Sequence, residues 1–127
     1  MRQLKVFAFV VFLFSATNGS AQEAYRDMTL DTAMEIHAGI TAGWLIAKRC
    51  KILKPEELAE LEKNRGSIRS SLAWNAAYFP SEEETAAEIA SEKPYSGCGR
   101  DAKRAVSEAV QFAREWAAEI AAGSPNR

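Results

Sequence analysis

Beyond residue 30 the apolar positions of the chain recur every three or four residues, the spacing of one face of an α-helix. Ile36, Ile40, Gly43, Ala47 and Cys50 form the first such stripe, and Trp44 widens it. Thr32 and Glu35 ahead of it read as a capping box, so a helix is expected from Asp31 or Thr32. Lys48, Arg49, Lys51 and Lys54 crowd its last turns, where cations meet the negative end of the helix dipole. Pro55 closes this helix and opens the next, because proline suits the first helical position and Glu56 and Glu57 suit the first turn. Leu58, Leu61, Ile68, Leu72, Ala76 and Phe79 then keep one register across Gly66, which predicts a single helix over residues 55–79. A break at Asn64–Ser67 is the alternative, since glycine costs about 1 kcal/mol relative to alanine inside a helix. Pro80 ends the segment in either case.

Ser81 and Glu84 form a second capping box and predict a short helix to about Glu92, with a thin apolar face of Ala86, Ala87, Ile89 and Ala90. Glu82, Glu83 and Glu84 read as compensation for the dipole of its first turn. Lys93–Gly97 reads as a turn. A last helix is expected from Cys98 to Ala122, stopped by Gly123, on a stripe of Cys98, Ala102, Ala105, Ala109, Phe112, Trp116 and Ile120. Val106, Ala113 and Ala117 flank that stripe. Trp44, Trp74 and Trp116 fall where core residues of helices fall, and Ser124–Arg127 reads as a frayed tail. These elements predict an all-α fold, a small bundle of three long helices plus one short helix. The single helical domain spans residues 31–123. Alanine, Glu, Lys, Arg and Leu dominate after Arg26 while Val, Thr and Tyr are sparse, which favours helix over strand.

The first 30 residues follow a different pattern. Arg2 and Lys5 precede an apolar run, Val6–Phe14, and Gly19 and Ala21 stand at the −3 and −1 positions of a small-residue stretch. That order predicts a secretory signal peptide over residues 1–21, cleaved near Ala21, and a periplasmic or secreted mature protein. The run falls well short of the roughly 20 residues needed to span a bilayer, and no later segment approaches that length. No transmembrane segment is therefore expected in the mature chain. Residues 22–30 read as a flexible leader. Cleavage leaves 106 of the 127 residues, one small domain. It also removes Arg2 and Lys5 from the 16 basic residues that oppose 17 acidic ones, leaving a net charge of −3 and no polybasic signal for nucleic acid.

Export changes the meaning of the two cysteines. In an oxidising compartment Cys50 and Cys98 are expected to form a disulfide that pins the end of the first helix to the start of the last. The second helix travels away by about 37 Å, and the short helix and residues 93–97 bring the chain back. Closing a loop of this length stabilises the fold by about 4 kcal/mol in the chain-entropy model. A reactive thiolate is the competing reading, because Cys98 sits near a helix N-terminus beside Arg100. The chain has no C-x-x-C motif and no histidine next to either cysteine, so the residues favour the structural bridge.

Catalytic chemistry finds little purchase. His37 is the one histidine, so a Ser/His or Cys/His arrangement would have to pass through it. It lies on the flank of Thr41 and Trp44 and reads as a helical histidine, partly buried or at the surface. Asp31 and Glu35 share a face, but a carboxylate pair alone does not make a metal site. No glycine-rich phosphate loop, H-E-x-x-H helix or EF-hand loop occurs. The expectation is no catalytic residue, no metal, no cofactor and no enzyme activity. One charge pattern goes further. A Cys50–Cys98 bridge would gather Lys48, Arg49, Lys51 and Lys54 with Arg100, Lys103 and Arg104 into one basic pole. Dipole compensation accounts for the first group but not for the second, which sits at the unfavourable end of its helix. The pole is a candidate site for an anionic envelope component, such as lipid headgroups or glycan, or for an acidic protein partner.

The run Tyr95-Ser96-Gly97-Cys98-Gly99-Arg100, opening an alanine-rich last helix, resembles small uncharacterised exported proteins of Gram-negative bacteria that carry two cysteines. That resemblance implies the same partner cysteine on an earlier helix and brings no activity with it. The layout is also similar to periplasmic acid-stress chaperones of the HdeA type, which are small, helical and held by one disulfide of similar span. The two functions implied are a structural or binding module of the cell envelope and, as the alternative, a chaperone that holds clients when acid protonates its carboxylates.

Overall fold

The computed structural model describes residues 29–71 and 79–123. The expected signal peptide, most of the leader and the tail at 124–127 lie outside the described residues, as do Leu72, Trp74 and Ala76. Five helices follow in order: α1 (Leu30–Cys50), α2 (Pro55–Ser71), α3 (Phe79–Ser91), α4 (Lys93–Ser96) and α5 (Arg100–Gly123). The fold is all-α and carries a Cys50–Cys98 disulfide with Cα atoms 5.5 Å apart.

Helix α1 starts earlier than its expected capping box. Thr29, in extended conformation, is the N-cap, and its Oγ1 accepts a hydrogen bond from the Thr32 backbone N–H at 3.2 Å. Residues 29 and 30 therefore belong to the domain, not to the leader. At the other end Lys51 takes a left-handed conformation (φ 52°, ψ 44°), and its N–H returns to the Ala47 carbonyl. A non-glycine residue pays for that conformation in sterics. The left-handed turn redirects the chain directly after the bridged Cys50.

Helix α2 runs unbroken through Gly66, which is exposed and has open space where a Cβ would lie. The alternative break at Asn64–Ser67 does not occur, because a solvent-facing glycine costs the helix propensity alone. Lys54 precedes Pro55 as N-cap, and the Glu57 carboxylate reaches back to accept its N–H at 3.0 Å. Phe79 and Pro80, expected to end this helix, instead open α3. Proline is tolerated there because N–H groups in a first turn have no partner within the helix. Within α3, Ala86, Ile89 and Ala90 are buried, whereas Ala87 faces solvent.

The expected turn at 93–97 contains a single helical turn, α4, that buries Tyr95. The last helix begins at Arg100, two residues later than expected, and Cys98 stands in the connection before it. The Lys103 N–H bonds to the Gly99 carbonyl at 3.0 Å, so Gly99 is the residue that opens α5.

Helix α1 lies at the centre, packed against α5, α3 and α2. Its Ala38, Thr41 and Ala42 are buried together with Ile36, Ile40 and Ile46, so it is covered over much of its circumference rather than along one stripe. α5 closes the core with Ala102, Ala105, Val106, Ala109, Phe112, Ala113 and Trp116. α1 and α5 run antiparallel and approach closely at Gly43, where an added Cβ would overlap the Ala109 Cβ and come within 3.2 Å of the Ala105 carbonyl oxygen. Gly43→Ala is expected to destabilise the fold by about 1–3 kcal/mol, the usual cost of overpacking. Denaturant unfolding checks this, and the swap Gly43→Ala with Ala109→Gly is expected to recover most of the loss.

Candidate functional site

Polar groups gather in two places, one inside the bundle and one at its disulfide end. The interior group joins α1 to α3. His37 is fully buried, and its Nδ1 lies 2.6 Å from Glu82 Oε2, while the Thr41 hydroxyl donates to the same oxygen at 3.4 Å. A carboxylate only accepts, so Nδ1 carries the hydrogen. His37, expected as a surface or half-buried residue, is in the core. Glu82, expected as a first-turn surface charge, turns inward to meet it, whereas Glu83 and Glu84 remain exposed. Arg65 of α2 stacks on the Trp44 ring at 4.2 Å, and Lys48 covers the same ring at 4.1 Å. Burial holds Arg65 below its ordinary pKa and Arg69 adds to that, while Glu82, Glu62 and Glu83 push it back up. Buried in this way, the pair serves as a joint between helices and offers no open surface to a substrate.

The disulfide end is different. Arg49 stays exposed at this end and also ties the scaffold together: its guanidinium donates to the carbonyls of Ala90 at 3.0 Å, Gly97 at 3.3 Å and Tyr95. Those three bonds lock α3, α4 and the segment before Cys98 against the end of α1. Lys48 is taken up by Trp44. Arg104 makes a long, exposed contact with Asp101 at 3.4 Å, a pair of little energetic weight. The side chains of Lys51, Lys54, Arg100 and Lys103 are exposed and form no ion pair with a carboxylate among the described residues. Lys51 follows Cys50 and Arg100 follows Cys98 by two residues, so the bridge holds the two halves of this cluster together. Its acidic boundary lies around Tyr95, whose hydroxyl is raised above its ordinary pKa by burial and then by the charges of Glu108, Asp101 and Glu92.

Beside these cations a groove of about 400 Å³ opens between the α1–α2 connection and α5. Ile52, Leu53, Val106 and Val110 supply apolar lining, with Lys103 and Arg114 also on its wall. Arg114 is already engaged, gripping Glu60 through both Nε and a terminal nitrogen at 2.7–3.2 Å. That grip holds the Glu60 carboxyl below its usual pKa and Arg114 above its own. Glu57, a further lining residue, caps the Lys54 N–H. Lys103 is thus the lining cation that has no acid to satisfy it among the described residues.

The bridge and the cations are legible in the sequence, whereas the His37–Glu82 pair, the role of Arg49 and the groove are not. The signals were present in part. Ile52 and Leu53 form an apolar pair set between Lys51 and Lys54 in a connection, where burial is not otherwise expected. Among the described residues no group of three or more His, Cys, Asp or Glu side chains is arranged to hold a metal ion. Likewise, none of the described helices is long and apolar enough to cross a membrane. Compared with protein-family models, curated proteins and solved structures, the chain shows no match.

Proposed function

We propose that this chain is an exported, disulfide-stapled binding module of the cell envelope that holds an anionic partner at the end beside Cys50 and Cys98. One observation carries the reading: Lys51, Lys54, Arg100 and Lys103 cluster exposed and unpaired among the described residues, in a chain whose formal net charge is −1. Such a cluster concentrates counter-ions and steers anionic partners even on a protein of opposite net sign. Export is supported by the bridge itself, since disulfides persist in oxidising compartments, and by the basic, apolar and small-residue order of residues 1–21.

The test is co-sedimentation of the mature protein with anionic vesicles, compared with neutral ones. Each lysine or arginine near an anionic membrane surface contributes about 1 kcal/mol, so reversing Lys51, Lys54 and Arg100 to glutamate is expected to weaken binding at least 100-fold at low salt. Binding that survives this reversal, or that ignores the sign of the lipid, refutes the reading. Suppression of client aggregation confined to low pH would replace it with the acid-chaperone function.

A further inference from the structure

We infer that the Cys50–Cys98 bridge is an exchangeable thiol–disulfide site on the folded protein, and that its reductant is a dithiol carrying negative charge. This goes beyond the binding reading and does not depend on it. Three observations carry it. The bridge lies at the surface: Cys98 is exposed in the connection before α5, and Cys50 is half-buried at the end of α1. Cations stand at both sulfurs. Arg49 and Lys51 adjoin Cys50, Arg100 follows Cys98 by two residues, and all three are exposed. Asp101, the acid next to Arg100 in sequence, contacts Arg104 at 3.4 Å.

The third observation is a place prepared for the released sulfur. Cys50 Sγ lies 3.7 Å from the Gly97 carbonyl oxygen, the same oxygen that accepts from the Arg49 guanidinium at 3.3 Å. Within the bridge that sulfur has no hydrogen to donate. Once reduced, the Cys50 S–H has an acceptor already in reach, and Arg49 still holds Ala90, Tyr95 and Gly97. Both redox states of this end are therefore supported by the fold. An inert staple needs neither surface access nor this second set of bonds.

Exchange begins at Cys98, the more exposed residue of the pair. One thiolate of the dithiol attacks Cys98 Sγ, the S–S bond breaks, and Cys50 Sγ leaves as a thiolate while a mixed disulfide forms on Cys98. Arg49 and Lys51 stabilise the departing charge, which then takes a proton from water. The second thiolate of the reductant attacks its own sulfur in the mixed disulfide and expels Cys98 beside Arg100. The protein gains two electrons, and the dithiol departs as a cyclic disulfide.

Dihydrolipoate and dihydrolipoamide test this on the mature, oxidised protein, since they share one dithiol and differ by a single negative charge. Alkylation and mass spectrometry follow the thiols formed. The rate is expected to rise in proportion to reductant without a plateau, while helical circular dichroism persists. Dihydrolipoate should react about threefold faster than the amide or more at low salt, and the ratio should fall toward one at high salt. Lys51→Glu with Arg100→Glu is expected to abolish that ratio. Brief exposure to the anionic monothiol mercaptoethanesulfonate, then alkylation, should leave the adduct on Cys98 and the alkyl group on Cys50. A rate that levels off at the unfolding rate means that the bridge opens only in the unfolded chain, which overturns the site. Equal rates for the two dithiols at low salt, or an adduct confined to Cys50, overturn it as well.

Discussion

Replacing Cys50 and Cys98 with alanine is expected to lower the unfolding free energy by about 4 kcal/mol, the loop-closure entropy of a 48-residue separation in the chain-entropy model. A domain of this size has about 5–15 kcal/mol to lose, so the bridge decides whether the fold survives moderate heating. The same loss is expected when the native bridge is reduced. Denaturant titration separates two contributions. The midpoint falls because the folded state is less stable, and the slope rises because the uncrosslinked denatured chain exposes more surface. The Arg49 bonds to Ala90, Tyr95 and Gly97 still hold the same end of the bundle, so helix content should persist in the reduced protein at neutral pH. A loss below about 1 kcal/mol, or two titratable thiols in freshly isolated protein, would show that Arg49 and not the bridge closes this end.

The second large effect is inside the core. Glu82→Ala is expected to cost about 3–5 kcal/mol, because it removes the carboxylate that meets the His37 Nδ1 at a position that solvent does not reach. Glu82→Gln should cost less, since its carbonyl oxygen can still accept from Nδ1 and from Thr41. The decisive variant is His37→Leu with Glu82→Leu together. Removing both polar partners is expected to be milder than the sum of the single changes by about 1–3 kcal/mol, a coupling that a double-mutant cycle measures. Additive losses would mean that the two residues stabilise α1 and α3 independently.

These two effects stand at opposite ends of what could be read along the chain. The bridge is legible in the residues alone, through the expected export and the placement of each cysteine at the end of an apolar stripe. The His37–Glu82 contact does not. The two residues are 45 positions apart, and each has a bland local explanation: a helical histidine near Trp44, and one glutamate of three in a helix start. The orientation of α3 against α1 selects Glu82 over Glu83 and Glu84 and turns it inward. The basic pole shows the same division. Charge positions are legible along the chain, but the hydrogen bonds of Arg49 are not, because carbonyls of α3, of α4 and of the segment after it converge on it in space.

Helix boundaries shifted for local reasons that sequence patterns describe less well. Thr29 rather than Thr32 caps α1, and Gly99 rather than Cys98 opens α5, because the cap is settled by which residue adopts extended backbone before the first turn. Pro80 matches a helix stop in the sequence but stands inside a helix start. Proline lacks an N–H, and a first turn does not need one.

The amino-acid sequence by itself determined that the domain is helical, that Gly43 lies on the buried stripe of α1, and that Cys50 and Cys98 are placed to meet. Those properties depend on propensity, on the 3.6-residue period and on chain length, all of which are local. Only the tertiary structure decided that Glu82 serves His37, that Arg49 belongs to the scaffold, and that Ile52 and Leu53 face Val106 and Val110 across an open groove beside Lys103. Each of these joins elements far apart in sequence, and their relative orientation is set by the packing of whole helix faces rather than by any one residue.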